Sequence, residues 1–392
     1  MPITYLKQAP QRPAQENSDL RDYARRLDGW SGDMVLSQDA RAAAVARVPQ
    51  ALQDDIRFAH DNIRRYAQAQ MATVQDCTVE LLPGHCTGQR QIPVSAAGCY
   101  VPGGRYSHVA SALMTITTAK VAGVGHITAA SPPRVGGLPD AITFAMDLAG
   151  ADTILTLGGV QAIAAMANGL FDQPAADILV GPGNTYVAEA KRALFGQVGI
   201  DMFAGPTDSL VIADHTADPV TVTWDLGPGT WDLVGQAEHG PDCPVWLVTT
   251  SRALADHVLA RAPMLANSLP QANADAARMA RADRAEVILC DTAEEMAQVA
   301  DQYAPEHLHV QAESLDWWLS RLTTYGSLFL GADTTVAIGD KASGPNHVLP
   351  TSATARGPLA RATARISRLE GMEGHARSAE LRDDAPDNMR AV

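Results

Sequence analysis

Short apolar segments alternate with alanine-rich segments along most of the chain, and this alternation restricts the fold more than any other feature. One series contains HITAA (126–130), TILTL (153–157) and ILVG (178–181). A second series contains SLVIAD (209–214), VWLVTT (245–250), EVILC (286–290) and SLFLG (327–331). Apolar strands separated by helices are typical of parallel sheets with helices on both faces. The sequence therefore predicts an α/β fold with two incomplete Rossmann-like units and short helical N- and C-terminal extensions.

The segments around these series define the predicted domains. We expect an N-terminal extension (1–24), a discontinuous first α/β domain (25–99 and 209–350), a second α/β domain (100–208) and a helical tail (351–392). Within them we predict two helices over 38–71 broken near Pro49, and strands over 78–101 with turns at Pro83-Gly84 and Gly88. The apolar positions of 361–381 are too sparse for a helix there to fold alone, so we expect it to pack on another surface, such as a partner subunit.

The composition argues against several classes of partner. The 392-residue chain has a formal net charge of −14, which disfavours nucleic acid and anionic membranes because phosphates attract clustered Lys and Arg. Its five cysteines lack the paired spacing of a disulfide framework or a thiolate zinc site. No apolar run of a signal peptide begins the chain, and Lys120 and His126 interrupt its most apolar long stretch (109–130). We therefore expect a cytoplasmic protein.

Three glycine-rich turns follow predicted strands of the first series. They are YVPGGRYSH (100–108), LGGVQA (157–162) and VGPGNTY (180–186), and none matches the GxGxxG pattern. Glycines at any one turn are explained by tight turning alone. Three such turns in one unit, each beside a polar residue (Tyr100, Gln161, Asn184), favour a phosphate- or nucleotide-bearing ligand, because ligands of open α/β sheets bind where strands end.

Polar side chains cluster at glycine- or proline-marked breaks late in the chain. They are Gln236 and His239, spaced to share one helical face, then Glu306 and His307 after Pro305, Asp340 and His347, and Glu370, Glu373 and His375. Each one alone is explained as a surface or cap residue, and the Glu306–His307 pair is expected to be exposed. Together they supply the donors that a divalent metal and a general base require. An N/O site of this kind favours zinc ahead of manganese.

These stretches resemble the histidinol dehydrogenase family, whose members are zinc-dependent, NAD-linked enzymes that oxidise an alcohol through an aldehyde to a carboxylate. YVPGG, GGVQAIAA, VGPGN, AGPTDSLVIAD, QAEHGPD, YAPEHL, GDKASGPNHVLPT and EGMEGHAR occur in the family's order. The resemblance covers nearly the whole chain. It also implies a homodimer in which the last Glu and His reach the site from the neighbouring subunit.

The resemblance assigns a role to each matched residue. It implies four zinc ligands that also contact substrate: Gln236, His239, Asp340 and His375. It implies the catalytic pair Glu306 and His307, and the substrate contacts His347, Glu370 and Thr207, the last standing where the family has Ser. It implies that Tyr100, Gln161 and Asn184 contact NAD, in agreement with the interpretation of the three turns.

The sequence around these site residues is most similar to the sulfopropanediol dehydrogenase branch of the family, which oxidises 2,3-dihydroxypropane-1-sulfonate to sulfolactate. CYVPGGRYSHVAS, LDWWLSRLTTYGSLFLG and RLEGMEGHAR carry that similarity, and Arg105 and Lys341 are candidate donors to a sulfonate. Histidinol is the alternative substrate, because its positive charge would favour Glu370.

Two departures from the family pattern keep a non-catalytic, ligand-binding relative as an alternative. WDLGPGTWDL (224–233) places a proline in what is normally a continuous helix. Only 28 positions separate His347 from His375, fewer than the family carries.

Overall fold

The computed structural model of the protein describes residues 13–103, 108–201, 207–223, 243–267, 271–334, 344–345, 354–356 and 365–368. The chain divides into two compact units. The first contains Met1–Met202, Ala342–Val348 and Ala391–Val392, and the second contains Phe203–Lys341 and Leu349–Arg390. Among the described helices, none combines the length and apolarity that crossing a membrane requires.

The first unit is built around a five-stranded parallel sheet. Its helices are α1 (Pro13–Leu27), α2 (Gln38–Arg47), α3 (Gln50–Met71), α4 (Val109–Val121), α5 (Asp140–Ala149), α6 (Gly159–Asn168) and α7 (Thr185–Leu194). Its strands are β1 (Cys77–Leu82), β2 (His85–Gln89), β3 (Ala96–Tyr100), β4 (His126–Ala130), β5 (Thr153–Leu155), β6 (Ile178–Val180) and β7 (Gly199–Ile200). The sheet has the order β5-β4-β3-β6-β7, and every pair in it is parallel.

The apolar sequence of these strands is explained by their burial. Every residue of β3 is buried, and the first unit has a cluster of core residues that includes Leu113 and Ile127. Helix α4 contributes eight buried residues because α3 and α5 pack on it while it lies against the sheet. Alanine-rich helices permit this close approach, since their small side chains leave room for the strands. The two helices predicted over 38–71 are confirmed as α2 and α3.

Strands β1 and β2 form an antiparallel hairpin separate from the sheet. Its turn at Pro83-Gly84 is confirmed, but the predicted turn at Gly88 is wrong, because Gly88 lies inside β2 and pairs with Thr78. A Cβ at Gly88 would lie 2.5 Å from the carbonyl oxygen of Cys77. The glycine therefore permits close approach of the two backbones and does not mark a turn. All residues of both strands are exposed, including Val79 and Leu81.

The second unit contains a six-stranded parallel sheet. Its helices are α8 (Pro219–Thr223), α9 (Arg252–Ala266), α10 (Gln271–Asp283), α11 (Ala293–Tyr303) and α12 (Leu315–Arg321), with a 3-10 turn at Thr354–Arg356. Its strands are β8 (Ser209–Ala213), β9 (Val245–Thr249), β10 (Glu286–Leu289), β11 (His307–Gln311), β12 (Ser327–Leu330) and β13 (Arg365–Arg368). The order is β10-β9-β8-β11-β12-β13. The predicted fold class, two helix-covered parallel sheets, is confirmed.

The predicted domain grouping is wrong for residues 25–99. They lie in the first unit with residues 100–202, because β3 is the central strand of that sheet and pairs with β4 and β6. The prediction of a continuous helix over 361–381 is also wrong at Arg365–Arg368, which adds a parallel edge strand to β12. The backbone hydrogen bonds that β12 offers along its length decide this conformation.

Candidate active site

The three glycine-rich turns of the first unit reach the carboxyl edge of its sheet. The strand order reverses between β3 and β6, since β4 and β5 lie on one side of β3 and β6 and β7 on the other. Tyr100 ends β3, Asn184 follows β6, and Gln161 lies in the first turn of α6 after β5. Open α/β sheets bind ligands at such a reversal point. The structure therefore places all three predicted cofactor contacts at the edge where a dinucleotide is expected.

Tyr100 and Gln161 are fixed by hydrogen bonds within this edge. The hydroxyl oxygen of Tyr100 accepts a hydrogen bond from the backbone N–H of Gly159 at 3.1 Å. Burial raises the pKa of the Tyr100 hydroxyl. The hydrogen bond from the Gly159 N–H lowers that pKa, and the Asp28 carboxylate raises it by a smaller amount. The hydroxyl is therefore protonated at neutral pH and remains a donor. The side-chain amide of Gln161 donates to the Asp28 carboxylate at 2.8 Å, which sets the orientation of that amide.

Asn184 caps helix α7. Its side-chain oxygen accepts hydrogen bonds from the backbone N–H groups of Tyr186 and Val187, both at 3.1 Å. Asn is favoured at this position because its oxygen satisfies N–H groups that the helix leaves without partners. Since the cap uses the oxygen, a contact from this side chain to a cofactor would come from its Nδ2.

Glu306 and His307 lie in the second unit and are buried, with 5% and 4% of their surfaces exposed. The prediction that they form an exposed pair is wrong. His307 begins β11, a strand that sequence reasoning missed, and it pairs with Ser209 of β8 on one side and Ser327 of β12 on the other. Strands on both sides exclude solvent from the pair. HLHVQ has polar residues at alternate positions, so a search for apolar segments does not predict this central strand.

Asp208 holds Glu306 in place by two reciprocal hydrogen bonds. The backbone N–H of Glu306 donates to Oδ1 of Asp208 at 2.6 Å, and the backbone N–H of Asp208 donates to Oε2 of Glu306 at 3.3 Å. Asp208 is itself only 2% exposed. Sequence reasoning did not select Asp208, although it lies in the AGPTDSLVIAD stretch next to Thr207. Its contribution depends on contact with a residue 98 positions away.

The imidazole of His307 lies beside this carboxylate. Its Nδ1 is 3.8 Å from Oε2 of Glu306, which is too long for a hydrogen bond. The ring also lies near Phe329, with 6.1 Å between the two ring centroids. A buried imidazole beside a fixed carboxylate is suited to accepting and releasing protons.

Thr207 lies at the same edge of the second sheet as the Glu306–His307 pair. It is half-buried and precedes Ser209, the residue that pairs with His307, by two positions. These residues occupy the amino ends of β8 and β11, whereas the cofactor turns of the first unit occupy carboxyl ends. The structure thus brings Thr207, Glu306 and His307 to the amino edge of the second sheet. Ligands of parallel sheets usually bind at the carboxyl edge, so strand direction alone would not have predicted this position.

Several predicted site residues lie outside the described residues. They are Gln236, His239, Asp340, His347, Glu370 and His375, together with Arg105, Lys341 and the 224–233 segment. Within the described ranges, no group of three His, Cys, Asp or Glu side chains is arranged to hold a metal ion. The predicted metal set therefore stays a prediction.

Comparison with known proteins gives a consistent result. The family model for histidinol dehydrogenase matches residues 13–359. A histidinol dehydrogenase homolog of Ruegeria pomeroyi is 58% identical over 426 aligned residues, covering 97% of each chain. A sulfopropanediol 3-dehydrogenase of the same organism is 54% identical, covering 97% of this chain and 96% of its own. The crystal structure of histidinol dehydrogenase from Elizabethkingia anophelis has a TM-score of 0.80 and 32% identity, covering 91% of this chain and 85% of that one.

The fold, the site and these relatives define an NAD-dependent oxidoreductase that acts on CH–OH groups. The chain belongs to the histidinol dehydrogenase family. The alignment with the 58% identical relative spans more positions than the 392 residues of this chain. That relative therefore contains residues without a counterpart in this chain.

Proposed function

We propose that this protein oxidises a primary alcohol through a retained aldehyde to a carboxylate, a four-electron reaction that uses two NAD. The observation that carries the proposal is the buried Glu306–His307 pair, with the carboxylate fixed by Asp208. A single hydride transfer needs one base to accept the alcohol proton. A second oxidation also needs a group that activates water. The Glu306–His307 pair supplies one group for each of these two tasks, at adjacent positions.

His307 is the base of the first oxidation. Its imidazole accepts the hydroxyl proton of the alcohol while a hydride passes from the hydroxyl-bearing carbon to NAD, and the alcohol becomes an aldehyde. Glu306 acts in the second oxidation by removing a proton from water as the water oxygen adds to the aldehyde carbon. The hydrate anion formed in this way passes its second hydride to the second NAD and releases its remaining hydroxyl proton to solvent, which gives the carboxylate.

The proposed metal is zinc, held by Gln236, His239, Asp340 and His375 as the resemblance implies. Two imidazoles, one carboxylate and one amide oxygen form a four-ligand N/O set that suits Zn²⁺. When bound, zinc supplies Lewis-acid polarisation of the substrate oxygen. The proposed NAD contacts are Tyr100, Gln161 and Asn184, and their common position at the reversal point of the first sheet supports this assignment.

Sulfopropanediol is the proposed substrate and histidinol is the alternative. The first is supported by the 54% identical relative that is named sulfopropanediol 3-dehydrogenase, together with the site sequences described above. The second is supported by the histidinol dehydrogenase whose crystal structure shares this fold at 32% identity.

We expect the purified protein to reduce NAD with 2,3-dihydroxypropane-1-sulfonate at a much higher kcat/KM than with L-histidinol. The two alcohols carry opposite charges at neutral pH, so a site with donors for a sulfonate would reject the cationic amine. Initial rates of NADH formation with each alcohol, at saturating NAD and equal pH, measure the ratio. A higher kcat/KM for histidinol would contradict the sulfonate assignment without affecting the oxidation chemistry.

We also propose a homodimer with a shared active site. The described feature that supports a partner is the β1–β2 hairpin, whose residues, including Val79 and Leu81, are exposed on both faces. A two-stranded hairpin is marginally stable in water unless another surface covers it.

Metal analysis and light scattering on the same sample test the metal and the assembly. We expect one zinc per subunit and the molar mass of a dimer. Dialysis against a chelator should abolish activity, and adding back zinc should restore it. A metal-free dimer or monomer that still binds NAD would instead favour the non-catalytic relative.

A further inference from the structure

An ion pair with a buried lysine supports the turn between β6 and α7. Lys191 of α7 is 2% exposed and forms an ion pair with Asp201, which follows β7. The ammonium of Lys191 also donates a hydrogen bond to the carbonyl oxygen of Gly181 at 3.0 Å. The second carboxylate oxygen of Asp201 accepts the backbone N–H of Gly181 at 2.7 Å. One ion pair therefore holds both peptide groups of the first glycine in the VGPGN turn.

Gly181 is also in close contact with the end of β3. Its φ of +118° is one that L side chains rarely adopt, and a Cβ there would lie 2.0 Å from the carbonyl oxygen of Tyr100. The position of Gly181 therefore sets how the turn that carries Asn184 lies against the strand that carries Tyr100. The ion pair fixes that position from the side of α7 and β7.

We propose that Lys191 and Asp201 are positioning residues for NAD binding, acting through Gly181 on the separation of Asn184 and Tyr100. This inference rests on the proposed function, in which Tyr100 and Asn184 contact the cofactor. The ion pair is neutral as a whole, so it acts by geometry and does not itself attract phosphate. Small displacements of contact groups reduce binding and rate strongly. Removing one partner of such a pair leaves the other charge unpaired and also lowers stability.

The test is the Kd of NAD, measured by isothermal titration calorimetry on the zinc-loaded full-length protein without alcohol. The variants are Lys191→Met, Asp201→Ala and Asp201→Asn. We expect Lys191→Met and Asp201→Ala to raise the Kd by roughly tenfold to a hundredfold, as expected for misplaced contact groups. Asp201→Asn keeps an oxygen that accepts the Gly181 N–H, so its effect should be smaller than that of Asp201→Ala. The KM of the alcohol should stay near the wild-type value in all three.

Arg41→Met is the matched control. Arg41 is also a buried cation of the first unit that holds backbone carbonyls, those of Ala151 and Asp152 at 3.0 and 2.9 Å. These carbonyls precede β5, at the amino edge of the sheet. We expect Arg41→Met to lower the Tm and leave the Kd of NAD unchanged.

Each outcome supports or overturns the inference. Folded Lys191 or Asp201 variants that bind NAD with the wild-type Kd would overturn it, as would an equal rise in Arg41→Met. If Lys191→Met and Asp201→Ala fail to fold, the Kd of Asp201→Asn decides in the same way. Wild-type protein that does not bind NAD would instead overturn the proposed cofactor contacts, a result distinguishable from the others.

Discussion

Replacing His307 with asparagine is expected to reduce kcat by about two to four orders of magnitude, the contribution typical of a positioned general base. Asparagine is similar in size and keeps an N–H donor, but it does not accept the alcohol proton. Because none of the proposed zinc ligands is changed, the variant should retain its metal. Stopped-flow measurement of the first NADH formed, together with metal analysis of the same sample, gives both quantities.

His309→Asn provides the control for this substitution. His309 lies two residues further along β11, is 1% exposed, and has its Nε2 2.8 Å from the carbonyl oxygen of Gly331. Its replacement also removes a buried imidazole from the same strand, so it should lower the Tm while the folded enzyme remains active. A His307→Asn variant with wild-type kcat would contradict the assignment of His307 as the base.

Replacing Glu306 with glutamine is expected to separate the two oxidations. The amide oxygen of glutamine still accepts the N–H of Asp208, so the local structure should be retained. The amide does not remove a proton from water, so oxidation of the aldehyde should slow by about two to four orders of magnitude. Oxidation of the alcohol should be affected much less. Single-turnover experiments should then give one NADH per alcohol in place of two, and supplying the aldehyde directly measures the second step.

Glu313→Gln is the matched control for Glu306. Glu313 lies just beyond the end of β11 with an exposed side chain, so neutralising it should change neither oxidation. If Glu306→Gln slowed both oxidations equally, Glu306 would act on His307 in both steps, and its assignment as the group that activates water would be wrong.

The strands that could be predicted are those whose sequences are apolar along their length. HITAA and SLVIAD indicate strands because apolar residues predominate in them, as burial on both faces of a sheet requires. Strands β11 and β13 were missed because HLHVQ and RISR contain polar residues at alternate or terminal positions. The grouping of residues 25–99 was wrong because a sequence does not state which sheet a strand such as β3 will join.

The candidate site likewise contains residues that could be predicted from the sequence and residues that could not. Tyr100, Gln161 and Asn184 could be placed at a strand edge because glycine-rich turns mark where strands end. Asp28 and Asp208 gave no signal, since they contact Gln161 and Glu306 across 133 and 98 residues of sequence. Burial of the Glu306–His307 pair likewise depends on β8 and β12, which are distant along the chain.

Strand β13 has a consequence for how this protein avoids self-association through its sheet. An open strand edge offers backbone groups to any passing chain, and charged side chains along it oppose such pairing. Without Arg365–Arg368, the outermost strand on this side would be β12, whose residues Ser327–Leu330 are buried and mostly apolar. The segment RISR adds a new edge strand beside β12, and its last residue, Arg368, is ion-paired with Asp316. A shortened chain lacking β13 would therefore lose its protection against edge-to-edge aggregation together with the residues that follow.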